Sequence, residues 1–114
     1  MSKYLDFIKI LEKATLNANR DLDEIELIAV SKKKPAELIE RVINNGCHSF
    51  GENQIQEVEH KWIALKNEYP KIKLHFVGNI QSKKTEKIFQ QCDVIHSIDR
   101  EKIVQILKSC EEEF

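Results

Sequence analysis

The sequence predicts an α/β fold built on a parallel sheet, and three observations carry that expectation. Short apolar runs alternate with stretches of helical period. The runs are mostly continuous rather than alternating, as strands covered on both faces read. Polar and small residues follow each run, where such a fold turns from strand to helix.

The elements follow in order. Residues 4–18 place Leu5, Ile8, Leu11 and Leu16 among polar neighbours, the spacing of an amphipathic helix. Leu27-Ile28-Ala29-Val30 predicts the first strand. Pro35 suits the first turn of the next helix, whose stripe is Ile39, Val42 and Ile43, and Gly46 is its C-terminal stop. Cys47-His48-Ser49-Phe50 predicts the second strand, with Gly51-Glu52-Asn53 as its exit. Ile55, Val58, Trp62 and Leu65 mark a helix that Pro70 closes, with Trp62 in its core stripe. Leu74-His75-Phe76-Val77 predicts the third strand, with exit Gly78-Asn79, and Thr85 to Gln91 a short helix. Asp93-Val94-Ile95-His96 predicts the fourth strand, and Ile103, Ile106, Leu107 and Cys110 a last helical stripe. A leading helix and four β-then-α units result. Right-handed crossovers close such units into a barrel or leave an open sheet, and four strands are too few for a barrel of eight.

The 114 residues fit a single domain, 1–114. With 41% hydrophobic and 32% charged residues the chain can build a core, which excludes a disordered or collagen-like chain. Lys and Arg total 18 against 19 Asp and Glu, a net charge of −1. Without a basic excess, nucleic-acid binding is not expected. Cys47, Cys92 and Cys110 are widely spaced and form no CxxC pair, so they read as reduced thiols of a cytosolic protein. No signal-peptide run and no stretch near the ~20 apolar residues of a membrane span occurs, so a cytoplasmic location without membrane contact is expected.

Ligands of parallel α/β folds bind at the carboxyl ends of the strands. The exits carry Ser31 and Lys32, then Gly51, Glu52 and Asn53, then Gly78, Asn79, Gln81 and Ser82, then Ser97, Asp99 and Arg100. Lys32 directly continues an apolar strand, which predicts a stem starting inside the core. Desolvation and the cations at Lys33 and Lys34 would then lower its amine pKa, and such an amine attacks aldehydes. A solvated lysine-rich loop is the other reading of the same residues. His75 and His96 lie in apolar strands and read as hydrogen-bonded core or rim histidines rather than a metal pair. No set stands at zinc-ligand spacing, and neither GxGxxG nor GxxxxGK[ST] occurs. Glu111 to Glu113 read as a solvated end.

At the strand exits the pattern becomes specific. Ala29-Val30-Ser31-Lys32-Lys33-Lys34-Pro35, then Phe50-Gly51-Glu52-Asn53 with Gln56-Glu57, form the first two signatures. His75-Phe76-Val77-Gly78 with Gln81-Ser82 and Lys84, then His96-Ser97-Ile98-Asp99-Arg100, form the other two. In this order, from about residue 27 to 107, they resemble the pyridoxal phosphate homeostasis protein family. Its single-domain (β/α) barrel is similar to that of alanine racemase.

The resemblance implies pyridoxal 5'-phosphate (PLP) as cofactor, held as a Schiff base on Lys32, with Asn53, His75 and Gly78 as further cofactor-binding residues. It implies PLP homeostasis without an assigned reaction, hence no catalytic residues and no enzyme. A racemase- or decarboxylase-type half and a non-functional or split-gene fragment are the alternatives. Gln54 replaces the family's usual aromatic residue and Lys83 a frequent Asn. Family members are longer, and the resemblance places the phosphate-binding groups and an arginine facing the pyridine nitrogen in their second half. The domain is therefore expected to be a partial barrel of alanine-racemase type, the leading helix plus four βα units, ending where a fifth strand would begin. Its open edges and inner face predict self-association, or pairing with a chain that supplies the missing half-barrel.

Overall fold

The computed structural model describes residues 3–113. α1 (Lys3–Asn17) opens the chain. It ends in a C-terminal turn in which left-handed Asn19 (φ 55°) lets the Arg20 N–H reach Thr15 C=O at 2.9 Å. After a 3₁₀ turn (Leu22–Glu24) come four parallel strands, β1 (Ala29–Val30), β2 (Ser49–Glu52), β3 (Lys73–Phe76) and β4 (Val94–Ile95), in the spatial order β1-β2-β3-β4. A helical connection follows every strand, as parallel pairing of consecutive strands requires. α2 (Ala36–Asn44) follows β1. α3 (Ile55–Glu57), a π-helical turn (Val58–Trp62) and α4 (Ile63–Glu68) run continuously after β2. A 3₁₀ turn (Ser82–Lys84) and α5 (Thr85–Gln91) follow β3, and α6 (Glu101–Glu113) follows β4.

The two faces of the sheet are unlike. Phe50, Leu74 and Phe76 point to the helix side and join Ile39, Ile43, Val58, Trp62, Leu65, Ile88 and Ile103 in one buried core. Trp62 packs on Phe50 with ring centroids 5.2 Å apart. The opposite face carries Ile28, Val30 and Val77 around Gly51, with His75 paired in register to that glycine. Val30 there is 57% exposed.

Three expectations need correcting. The second strand runs Ser49–Glu52 rather than 47–50, so Gly51 and Glu52 are strand residues and not an exit. Crowding explains the first, since a Cβ on Gly51 would come 3.2 Å from Ile28 Cγ2. Compensation explains the second, because one oxygen of the Glu52 carboxylate, Oε2, takes a hydroxyl, an indole N–H and an ammonium. The first strand is shorter than its apolar run, spanning only Ala29–Val30.

Candidate functional site

The chain leaves β1 through a β-turn over residues 31–34, closed by the Lys34 N–H on Ser31 C=O at 3.0 Å. Lys33, its third residue, is left-handed (φ 58°), a conformation that costs a side-chain-bearing residue about 1–2 kcal/mol. Lys32 is exposed in this turn. Contrary to the expectation from the sequence, its stem does not start in the core. The strand has ended, and the apolar residue before the turn, Val30, lies on the open face.

Beside the turn, the exits of β2 and β3 press together. A Cβ on Gly78 would sit 2.5 Å from the Asn53 carbonyl oxygen, so this approach admits only glycine. A cleft of 530 Å³ results, lined by Val30, Lys32, Asn53, Gln54, Val77, Gly78 and Asn79. A neighbouring cleft of 360 Å³ is lined by Lys32, Lys33, Asn53, Gln54, Gln56 and Glu57. The fold thus brings together Lys32, Asn53 and Gly78, with Gln54 in place of the expected ring. Asn53 Oδ1 is buried without a hydrogen-bond partner.

His75 lies apart from both clefts. It is 3% exposed, and its Nδ1 is 2.9 Å from His96 Nε2. Its Nε2 is 3.5 Å from the Glu26 carboxylate and has no hydrogen-bond partner. Burial pushes the His75 pKa down against the pull of Glu26, and His96 adds to the lowering. This geometry fits the expected hydrogen-bonded histidines, and no group of three or more metal-binding side chains occurs among the described residues.

Sequence reasoning missed what lies behind the lysine turn. Glu52, 0% exposed, accepts the Ser31 hydroxyl at 2.6 Å and the Trp62 indole N–H at 2.8 Å, and pairs with Lys61 Nζ at 2.9 Å, all on Oε2. Burial pushes this carboxyl up, and these hydrogen bonds more than offset it, leaving it below its ordinary value. Lys61 also donates to Ser31 C=O at 2.8 Å and Lys34 C=O at 3.2 Å, while Glu57 Oε1 accepts the Lys33 N–H at 2.6 Å. The available signal was the i,i+4 pair Glu57 and Lys61, which on its own reads as a surface pair.

Cys47 and Cys110 are buried and Cys92 half-buried, with burial pushing the Cys92 thiol up to about 12. Among the described residues no helix is long and apolar enough to cross a membrane.

Fold and rim together define a class: the leading helix and first four βα units of a (β/α) barrel, with an exposed lysine at the carboxyl end of the first strand. No family model matches the chain. It is 43% identical over 94 residues to the pyridoxal phosphate homeostasis protein of Buchnera aphidicola, covering 82% of this chain and 41% of that one. With the protein of the same name from Vibrio cholerae the identity is 39% over 95 residues, covering 82% and 40%. The solved structure of PipY from Synechococcus elongatus with PLP bound superposes with a TM-score of 0.76 at 33% identity, covering 90% of this chain and 47% of PipY. The chain is a homologue of the pyridoxal phosphate homeostasis proteins over their N-terminal half. It spans about 40% of the length of the relatives it matches.

Proposed function

We propose that this chain binds PLP through Lys32 and serves PLP homeostasis in the cytosol as a non-catalytic carrier. One observation carries the reading: an exposed lysine stands at the rim cleft, beside Asn53 and Gly78, in a homologue of PLP homeostasis proteins. The residues present suit such a group. Val30 and Val77 offer apolar surface for a ring, Gly78 keeps the cleft floor free of side chain, and the orphaned Asn53 amide oxygen has hydrogen-bonding capacity to spare. When bound, PLP supplies an aldehyde with which a primary amine combines reversibly. Lys32 holds the cofactor covalently in this reading, and Asn53 and Gly78 shape the cleft around it. His75, apart from the cleft, stands against His96.

The resemblance assigns the phosphate to strands beyond these four, so the affinity of the described half on its own is expected to be weak. A second copy of this chain, or a chain that supplies the other strands, would cover the inner face and raise that affinity by mass action. Spectroscopic titration with PLP tests the assignment. Lys32→Ala is expected to abolish the new visible absorbance, and its persistence would overturn the role of Lys32. Sedimentation tests the second part, since a stable monomer of micromolar or better affinity would contradict the need for a covering half.

A further inference from the structure

The turn that presents Lys32 is built under strain and bonded at nearly every other point. Ser31 continues the sheet ladder through its N–H to Gly51 C=O at 3.0 Å. Its carbonyl receives both the Lys34 N–H and Lys61 Nζ, and its hydroxyl is committed to Glu52. Left-handed Lys33 has its N–H on Glu57 at 2.6 Å, and Lys34 C=O is held by Lys61. Bonds therefore hold the residues on both sides of Lys32, whose own side chain lines the cleft.

We infer that Lys61, Glu57 and Glu52 are positioning residues for Lys32: an ion-paired clamp, set behind the turn, that fixes the direction from which the amine enters the cleft. The inference rests on the reading of Lys32 as the cofactor lysine. An ammonium has three N–H donors, and Lys61 spends them on three acceptors, Glu52 Oε2, Ser31 C=O and Lys34 C=O. It is only 10% exposed and lines neither cleft that holds Lys32, so it is no rival carrier of the cofactor. Glu52 supplies the opposite charge that makes a buried ammonium tolerable, and the Trp62 indole and Ser31 hydroxyl fix that carboxylate in turn. Lys61 and Trp62 are consecutive residues, yet both reach the same carboxylate oxygen, and both lie in the π-helical turn. Such turns interrupt α-helices mostly at functional sites. A left-handed lysine persists only where its surroundings enforce it, and here the Glu57 carboxylate sits on its amide.

Amide hydrogen exchange tests this clamp, combined with borohydride trapping of PLP and peptide mapping. Glu57→Ala removes the acceptor on Lys33 and is expected to speed exchange of that amide about 10-fold, the scale of one lost charge-assisted bond. Glu57→Gln keeps an oxygen there and is expected to retain most of the protection. Lys61→Met is expected to speed the Lys34 amide by about the same factor. Because it strands a buried carboxylate, the paired variant Glu52→Gln/Lys61→Met serves where the single one unfolds. In every folded variant the amides of β3 are expected to exchange as in the parent, while trapped PLP spreads from Lys32 to Lys33 and Lys34. Unchanged exchange at Lys33 and Lys34 in folded Glu57→Ala and paired variants would overturn the clamp, as would trapping that stays confined to Lys32. A parent chain whose adducts are already scattered would instead refute the assignment of Lys32, and the exchange rates would still judge the clamp.

Discussion

The two faces of one sheet behave as two different proteins. On the helix side Phe50, Leu74 and Phe76 are at most 2% exposed, and even a buried carboxylate there has three donors on one of its oxygens. On the other side Val30 is 57% exposed and the clefts at the rim stand open. α1 resembles the second face more than the first, with Ile10 66% and Leu16 73% exposed. Four βα units cover their own outer face, because each strand brings its own covering helix, whereas an inner face is covered only by the strands across from it. Stability in this chain therefore comes from the outer face, and the clefts beside Lys32 lie where the inner face begins.

The largest expected effect belongs to the outer face. Trp62→Ala removes a side chain 1% exposed together with the indole donor to Glu52, and is expected to cost about 3–5 kcal/mol in denaturant unfolding. A loss under about 1 kcal/mol would mean that this core is not formed in solution. Gly78→Ala places a methyl 2.5 Å from the Asn53 carbonyl and is expected to cost about 1–3 kcal/mol, with weaker PLP binding on top.

The two faces are also expected to titrate in separate windows. Glu52 has a lowered folded-state pKa, so its contribution is complete above the unfolded value of about 4.3 and is lost as pH falls through the folded value. His75 is lowered as well, chiefly by burial. Its unfolded form takes up a proton first, and stability falls as pH drops below about 6.5 until the folded value is reached. Thermal unfolding against pH separates the two, with Glu52→Gln flattening the lower step and His75→Gln the upper. The smallest effect is expected at Val30→Thr, within about 0.5 kcal/mol, because the side chain is half in water already. A loss of core size there would mean that a second copy covers the inner face in solution.

Much of the outer face was legible in the sequence, because helix period and apolar runs report burial directly. Thr85–Gln91 is a helix as its spacing predicts, and Trp62 is core. The strand ends were less legible. Glu52 is a charged residue whose burial depends on Trp62 and Lys61, ten and nine positions away on a helix whose π-helical turn no periodicity announces. Lys32 was legible as a rim residue, and of its two readings the solvated loop describes its exposure, since a continuous apolar run does not reveal that one face of its strand is bare. The grouping of Lys32, Asn53 and Gly78 followed from the strand-exit rule, whereas His75, inside a strand, pairs with His96 below the rim.

The most direct test of the central claim is borohydride reduction of the purified chain with PLP, followed by peptide mass mapping. The account expects one adduct, on Lys32, that saturates with cofactor. Adducts scattered over Lys33, Lys34 and the other exposed lysines, with no preference for Lys32, would contradict it.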